Sequence, residues 1–61
     1  MNEKEKALEA LNVVCAGVKL ENGTLQTDIL ILNYHVRRAI DRCFRLGISL
    51  VEVNKILKKY V

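Results

Sequence analysis

The residues able to do chemistry in this chain are few and scattered. It holds one histidine, His35, one serine, Ser49, and two cysteines, Cys15 and Cys43. Nucleophilic catalysis needs a nucleophile and a base within hydrogen-bond reach, with a third group to orient the base. His35 stands among Tyr34, Val36 and Arg38, none of them a carboxylate. Ser49 sits in Gly47-Ile48-Ser49-Leu50-Val51, which lacks the closing glycine of a nucleophile elbow. The cysteines are far apart in sequence, with no Cys-x-x-Cys or His-x-x-x-His pair to complete a metal set. Gly17, Gly23 and Gly47 are too widely spaced for a phosphate-cradling loop. These patterns point to a protein that is not an enzyme and that calls for no metal or cofactor.

Charge is the more informative chemistry. Residues 1–30 carry three lysines against five acids, and residues 31–61 carry seven lysines and arginines against two, within a net charge of +3. Four of those basic residues are Arg37, Arg38, Arg42 and Arg45. Guanidinium forks match carboxylates bidentately, and arginine is favoured among the residues that dominate interface energy. The set therefore reads as an anchor for a larger protein partner. Asp41, four residues from both Arg37 and Arg45, is expected to pair part of this charge internally. A basic half can also meet phosphate, so two alternatives stand beside the first: a DNA-binding regulator, and a sponge for a nucleotide using the arginines across a dimer groove.

Three helices should position these groups, in an all-α unit over residues 1–61. The first, about 3–20, opens on Asn2 with Glu5 three residues on, a capping-box pattern. Leu8, Leu11, Cys15 and Val18 give it an apolar stripe, and Gly17 suggests a close crossing with another helix. Asn22-Gly23 then breaks the chain, either as a helix end or as the turn of a short hairpin spanning 18–27. The second helix, about 28–46, starts from Thr27 or Asp28 and shows Ile29, Leu32, Val36, Ile40 and Cys43 on one face. Leu30 and Ile31 fall off that stripe. Gly47 stops this helix, and Ser49 with Glu52 forms a second capping box. The third helix, about 50–60, has Leu50, Val53, Ile56 or Leu57, and Tyr60 as its buried stripe. Both cysteines fall on apolar faces and read as reduced core residues of a cytoplasmic protein.

Residues 36–57 resemble a helix-turn-helix of DNA-binding regulators. Cys43 takes the small position of the first helix, Gly47 the turn, and Leu46, Ile48, Val53 and Ile56 the aliphatic positions, while Arg42 stands where an apolar residue is usual. Locally, Val36-Arg37-Arg38-Ala39-Ile40 through Leu50-Val51-Glu52-Val53 is similar to the accessory helix pair of MerR-type regulators. The resemblance implies that Ser49, Asn54, Lys55, Lys58 and Lys59 would face nucleic acid. It also places Leu50 and Val51 at the start of the reading helix, where polar side chains serve better.

The chain is 61 residues long and 51% apolar. Its longest apolar run, Ile29-Leu30-Ile31-Leu32, is far short of the roughly 20 residues a membrane span needs. A chain of this size has a marginal core, and three short helices leave apolar side chains over. A homodimer is the expected remedy, with Val13, Leu30, Ile31 and Tyr34 in its interface.

Overall fold

The structure, a computed structural model, describes residues 2–61, and these form four helices and no strand. They are α1 (Glu3–Asn22), α2 (Thr27–Leu32), α3 (Tyr34–Arg45) and α4 (Leu50–Leu57). The chain is all-α, and Asn22-Gly23 is a helix end; the hairpin over 18–27 does not form. Gly23, at φ 71°, donates its backbone N–H to the Lys19 carbonyl and closes α1. The first helix begins as its sequence indicates, with Asn2 Oδ1 accepting from the Glu5 N–H at 2.8 Å. At 20 residues, α1 spans most of the molecule's 31 Å long axis. It packs chiefly on α3 and then on α4, while α2 packs on α3.

The expected second helix is two. Asn33 takes an extended backbone, φ −64° and ψ 128°, and its Oδ1 accepts from the N–H groups of His35 at 3.0 Å and Val36 at 3.2 Å. It thus ends α2 and caps α3. Asparagine is among the strongest N-caps because its short side chain reaches the unpaired donors of a first turn. The break also resets the register. Leu30 is fully buried, so it belongs to the core and is excluded from a dimer interface. Ile29 and Leu32, expected on the buried face, are exposed. Thr27 does not cap α2 either: Gln26 holds the N-cap position, and its side chain makes no capping bond.

The core joins Ala7, Leu11, Cys15 and Val18 of α1 to Leu25, Leu30, Val36, Cys43, Ile48, Val53 and Leu57. Leu8 packs partly buried at its edge. The α3–α4 turn is tight. Gly47, at φ 81°, donates to the Phe44 carbonyl, and Ile48 donates to the Cys43 carbonyl, each at 3.0 Å. These two bonds make a Schellman motif, and the buried pair Cys43 and Ile48 gives it the usual apolar contact. Ser49 then caps α4, its Oγ accepting from the Glu52 N–H at 3.3 Å. Two details of α4 differ from expectation. It stops at Leu57 rather than near 60, and Leu50 lies outside the core, 60% exposed. Leu50 has the i, i+3, i+7 spacing of Val53 and Leu57, so its exposure is set by where the first turn of α4 lies against the other helices and not by the helix face. Past the helix, the Tyr60 hydroxyl donates to Asn12 Oδ1 and ties the carboxyl end to α1.

Two substitutions test these junctions. Gly47→Ala should cost roughly 1–2 kcal/mol from backbone strain alone, since a Cβ there meets no atom within 4 Å. Asn33→Ala should cost about 1 kcal/mol, with Asn33→Ser restoring most of it. In thermal melts each loss should lower Tm by about 4–8 °C per kcal/mol. An unchanged Tm in either case would refute the junction concerned.

Candidate functional site

The arginines of α3 are brought together, as their spacing on one helix requires. Residues three and four apart are neighbours on a helix surface. Arg38, Arg42 and Arg45 therefore line one side of a groove of about 470 Å³, together with Tyr34, Asp41, Ala39 and Ala10 of α1. A second groove of about 270 Å³ adjoins it, lined by Leu32, Tyr34, Arg37, Arg38 and Asp41. Tyr34, Arg38 and Asp41 line both. The floor of the larger groove is small and apolar because Ala10 and Ala39 stand where α1 and α3 approach.

Arg38 is held in place. Its Nη1 donates to the Tyr34 hydroxyl at 3.0 Å, and its guanidinium carbon lies 5.8 Å from the centre of the Tyr34 ring. Arg42 reaches across to α1, where its Nη2 is 3.6 Å from Glu3 Oε2. Both partners of that pair are largely solvated, so it contributes little to stability. The pairing of Asp41 with Arg37 and Arg45 does not occur: the Arg42–Glu3 contact is the one ion pair among the described residues. Arg42 is better matched across the helices than along its own, because α1 presents Glu3 at the groove edge. Asp41 is left beside the guanidiniums as an acceptor.

The candidate nucleic-acid residues lie elsewhere. Ser49 is engaged in capping. Asn54 and Lys55 are exposed on α4, Lys58 is its C-cap, and Lys59 follows it, exposed. Leu50 and Val51 at the start of α4 are also exposed, by 60% and 65%. Of the expected dimer residues, Val13, Ile31 and Tyr34 are exposed and Leu30 is not. Gly17 makes no crossing within the chain, since a Cβ there would meet no atom within 4 Å.

His35 is exposed, with its ring edge-on to Tyr34 at 5.5 Å. Cys15 and Cys43 are free and buried. Burial pushes the Cys15 thiol up to about 11 from its ordinary 9.0. Cys43 is also raised by burial, with Arg42 opposing the shift. Neither is a reactive thiolate near neutral pH. Among the described residues no three His, Cys, Asp or Glu side chains gather to hold a metal ion. No helix among them is long and apolar enough to cross a membrane. Compared with known proteins, the chain matches no family model, no curated protein and no solved structure.

The arginine set was legible from spacing on a single helix. The contributions of Ala10 and Leu32 were not, because they depend on how α1 and α2 lie against α3. Tyr34 was singled out for a different role; its aromatic ring four residues before Arg38 was the available signal.

The buried thiol sets a pH dependence. The folded chain keeps the Cys15 proton up to about pH 11, whereas the unfolded chain loses it above about 9. Its contribution is therefore complete below pH 9 and disappears as pH rises through 11. Melts from pH 8 to 11 should show Tm falling most steeply above 9, and Cys15→Ala should flatten that fall. A Cys15→Ala profile parallel to that of the native chain would contradict this assignment.

Proposed function

We propose that this chain is a small non-enzymatic regulatory or inhibitory protein that binds a larger partner protein through the arginine face of α3. The observation that carries this reading is the pair of adjoining grooves whose lining Arg37, Arg38, Arg42 and Arg45 share with Tyr34. Arginine and tyrosine are the residue types enriched where interface energy concentrates. Tyr34 fixes the Arg38 guanidinium, so less side-chain freedom is lost when a carboxylate arrives. The lining is also mixed in character. Asp41 belongs to both grooves, and Ala10, Ala39 and Leu32 supply apolar wall. A carboxylate in the middle of the footprint repels a run of phosphates but accepts from the N–H and O–H groups of a protein surface. Acidic side chains interleaved with donors and small apolar groups fit this lining best.

The DNA-binding reading retains a specific support. The tight Gly47 turn holds α4 directly after α3, and Asn54, Lys55, Lys58 and Lys59 are all exposed along and after it. Exposed Leu50 and Val51 at the amino end of α4 weigh against it, because that end would enter the groove.

The test compares the native chain with Arg37→Ala/Arg38→Ala, both sites being exposed. A protein captured by the native chain should bind the double variant at least about tenfold more weakly. An unchanged affinity removes the arginine face as the binding site. Duplex DNA is the second probe. Binding that is micromolar at physiological salt, falls steeply as salt rises, and is lost in Lys55→Glu/Lys58→Glu would establish the DNA reading instead.

A further inference from the structure

α1 carries a second stripe, most of which the chain leaves uncovered. Lys6, Ala10, Val13, Gly17 and Leu20 follow one another at alternating steps of four and three residues. That is the spacing of a helix seam built to face another helix. Val13 is 63% exposed and Leu20 86% exposed. Gly17 is exposed as well, with open space where its Cβ would stand. Glycine within a helix costs about 1 kcal/mol relative to alanine. Gly17 has no positive φ and no near neighbour that would require it. Both the glycine and the bare leucine lack a reason inside the molecule.

We propose that this stripe docks on the same stripe of a second copy, with the two α1 helices antiparallel and a two-fold axis at the level of Cys15. The register follows from size. Pairs of positions symmetric about 15 then face each other, so Val13 meets Gly17 of the partner subunit, and Ala10 meets Leu20 of the partner subunit. Each large side chain finds a small one. A parallel pairing does the opposite, setting valine on valine, glycine on glycine and Lys6 on a second lysine. Two-fold interfaces must be self-complementary, and only the antiparallel register is so.

Charge supports the same arrangement. Glu21 follows Leu20, so in this register Glu21 of the partner subunit arrives opposite Glu9 and next to Ala10. There Arg38, Arg42 and Arg45 line the groove. The acidic end of one α1 thus meets the basic wall of the other copy, twice in the dimer. Arg37 lines only the second groove, with Leu32, and lies outside this seam. The seam borders the larger groove of the proposed function at Ala10, but the inference concerns self-association and is tested by it independently of any other partner.

Sedimentation equilibrium of the full chain, from about 1 to 100 µM, tests it by mass action. The expected result is a reversible species of twice the 7.0 kDa chain mass. Gly17→Glu, for which the monomer has room, and Leu20→Lys should each weaken self-association at least about tenfold while helical circular dichroism is retained. Gly17→Val should also weaken it, and Val13→Gly/Gly17→Val, which exchanges large for small across the axis, should restore it. A 7.0 kDa species alone at the highest concentration would overturn the proposal. So would a dimer indifferent to Gly17→Glu, or an exchange variant no tighter than Gly17→Val.

Discussion

One helix organises this molecule. With so few residues, no element other than α1 is long enough to give α3 and α4 a common surface, and α1 does so through Ala7, Leu11, Cys15 and Val18. α3 and α4 pack directly on it. Burial of this stripe is what orders the shorter helices, because isolated segments of 6 to 12 residues are marginal in water. The small residues of α1 matter as much as the large ones. Ala7 is fully buried in the core, and Ala10 lines the groove in which the arginines gather.

The junctions convert this packing into a definite arrangement. Asn33 interrupts what would otherwise be one amphipathic helix and supplies two capping bonds to the next. Gly47 provides the left-handed residue that turns α3 into α4, and Ser49 restarts the helix at once. The turn at Gly47 also buries Ile48 against the core. Each junction decides which side chains the flanking helices turn inward, and so which remain exposed.

Surface chemistry then follows from what the core leaves over. The thiols are buried and hold their protons, and the lone histidine is exposed beside a tyrosine without an orienting carboxylate. What the surface does offer is fixed positive charge beside apolar wall, together with uncovered Val13, Leu20, Leu32, Leu50 and Val51. Guanidinium groups beside uncovered aliphatic side chains are the features on which the proposed recognition role draws.

Local rules alone determined the helical class, the caps at Asn2 and Ser49, the stop at Gly47, the inward faces of Leu11, Cys15, Val36, Cys43 and Val53, and the grouping of four arginines on one helix. Each of these depends on residues within a few positions of one another, where spacing and capping chemistry act directly. Tertiary structure decided the rest. Continuous apolar periodicity from Ile29 to Cys43 hid the break at Asn33, because a cap competes with helix continuation and the outcome depends on whether Leu30 finds a core to enter. The exposure of Leu50 depends on how α4 lies on the other helices, while the pairing of Arg42 with Glu3 in place of Asp41 with its neighbours, and the groove that Ala10 shares with Tyr34 and Arg38, required α1 to lie against α3. Contacts between residues distant in sequence are set by how helices pack, and pattern within any one helix does not encode them.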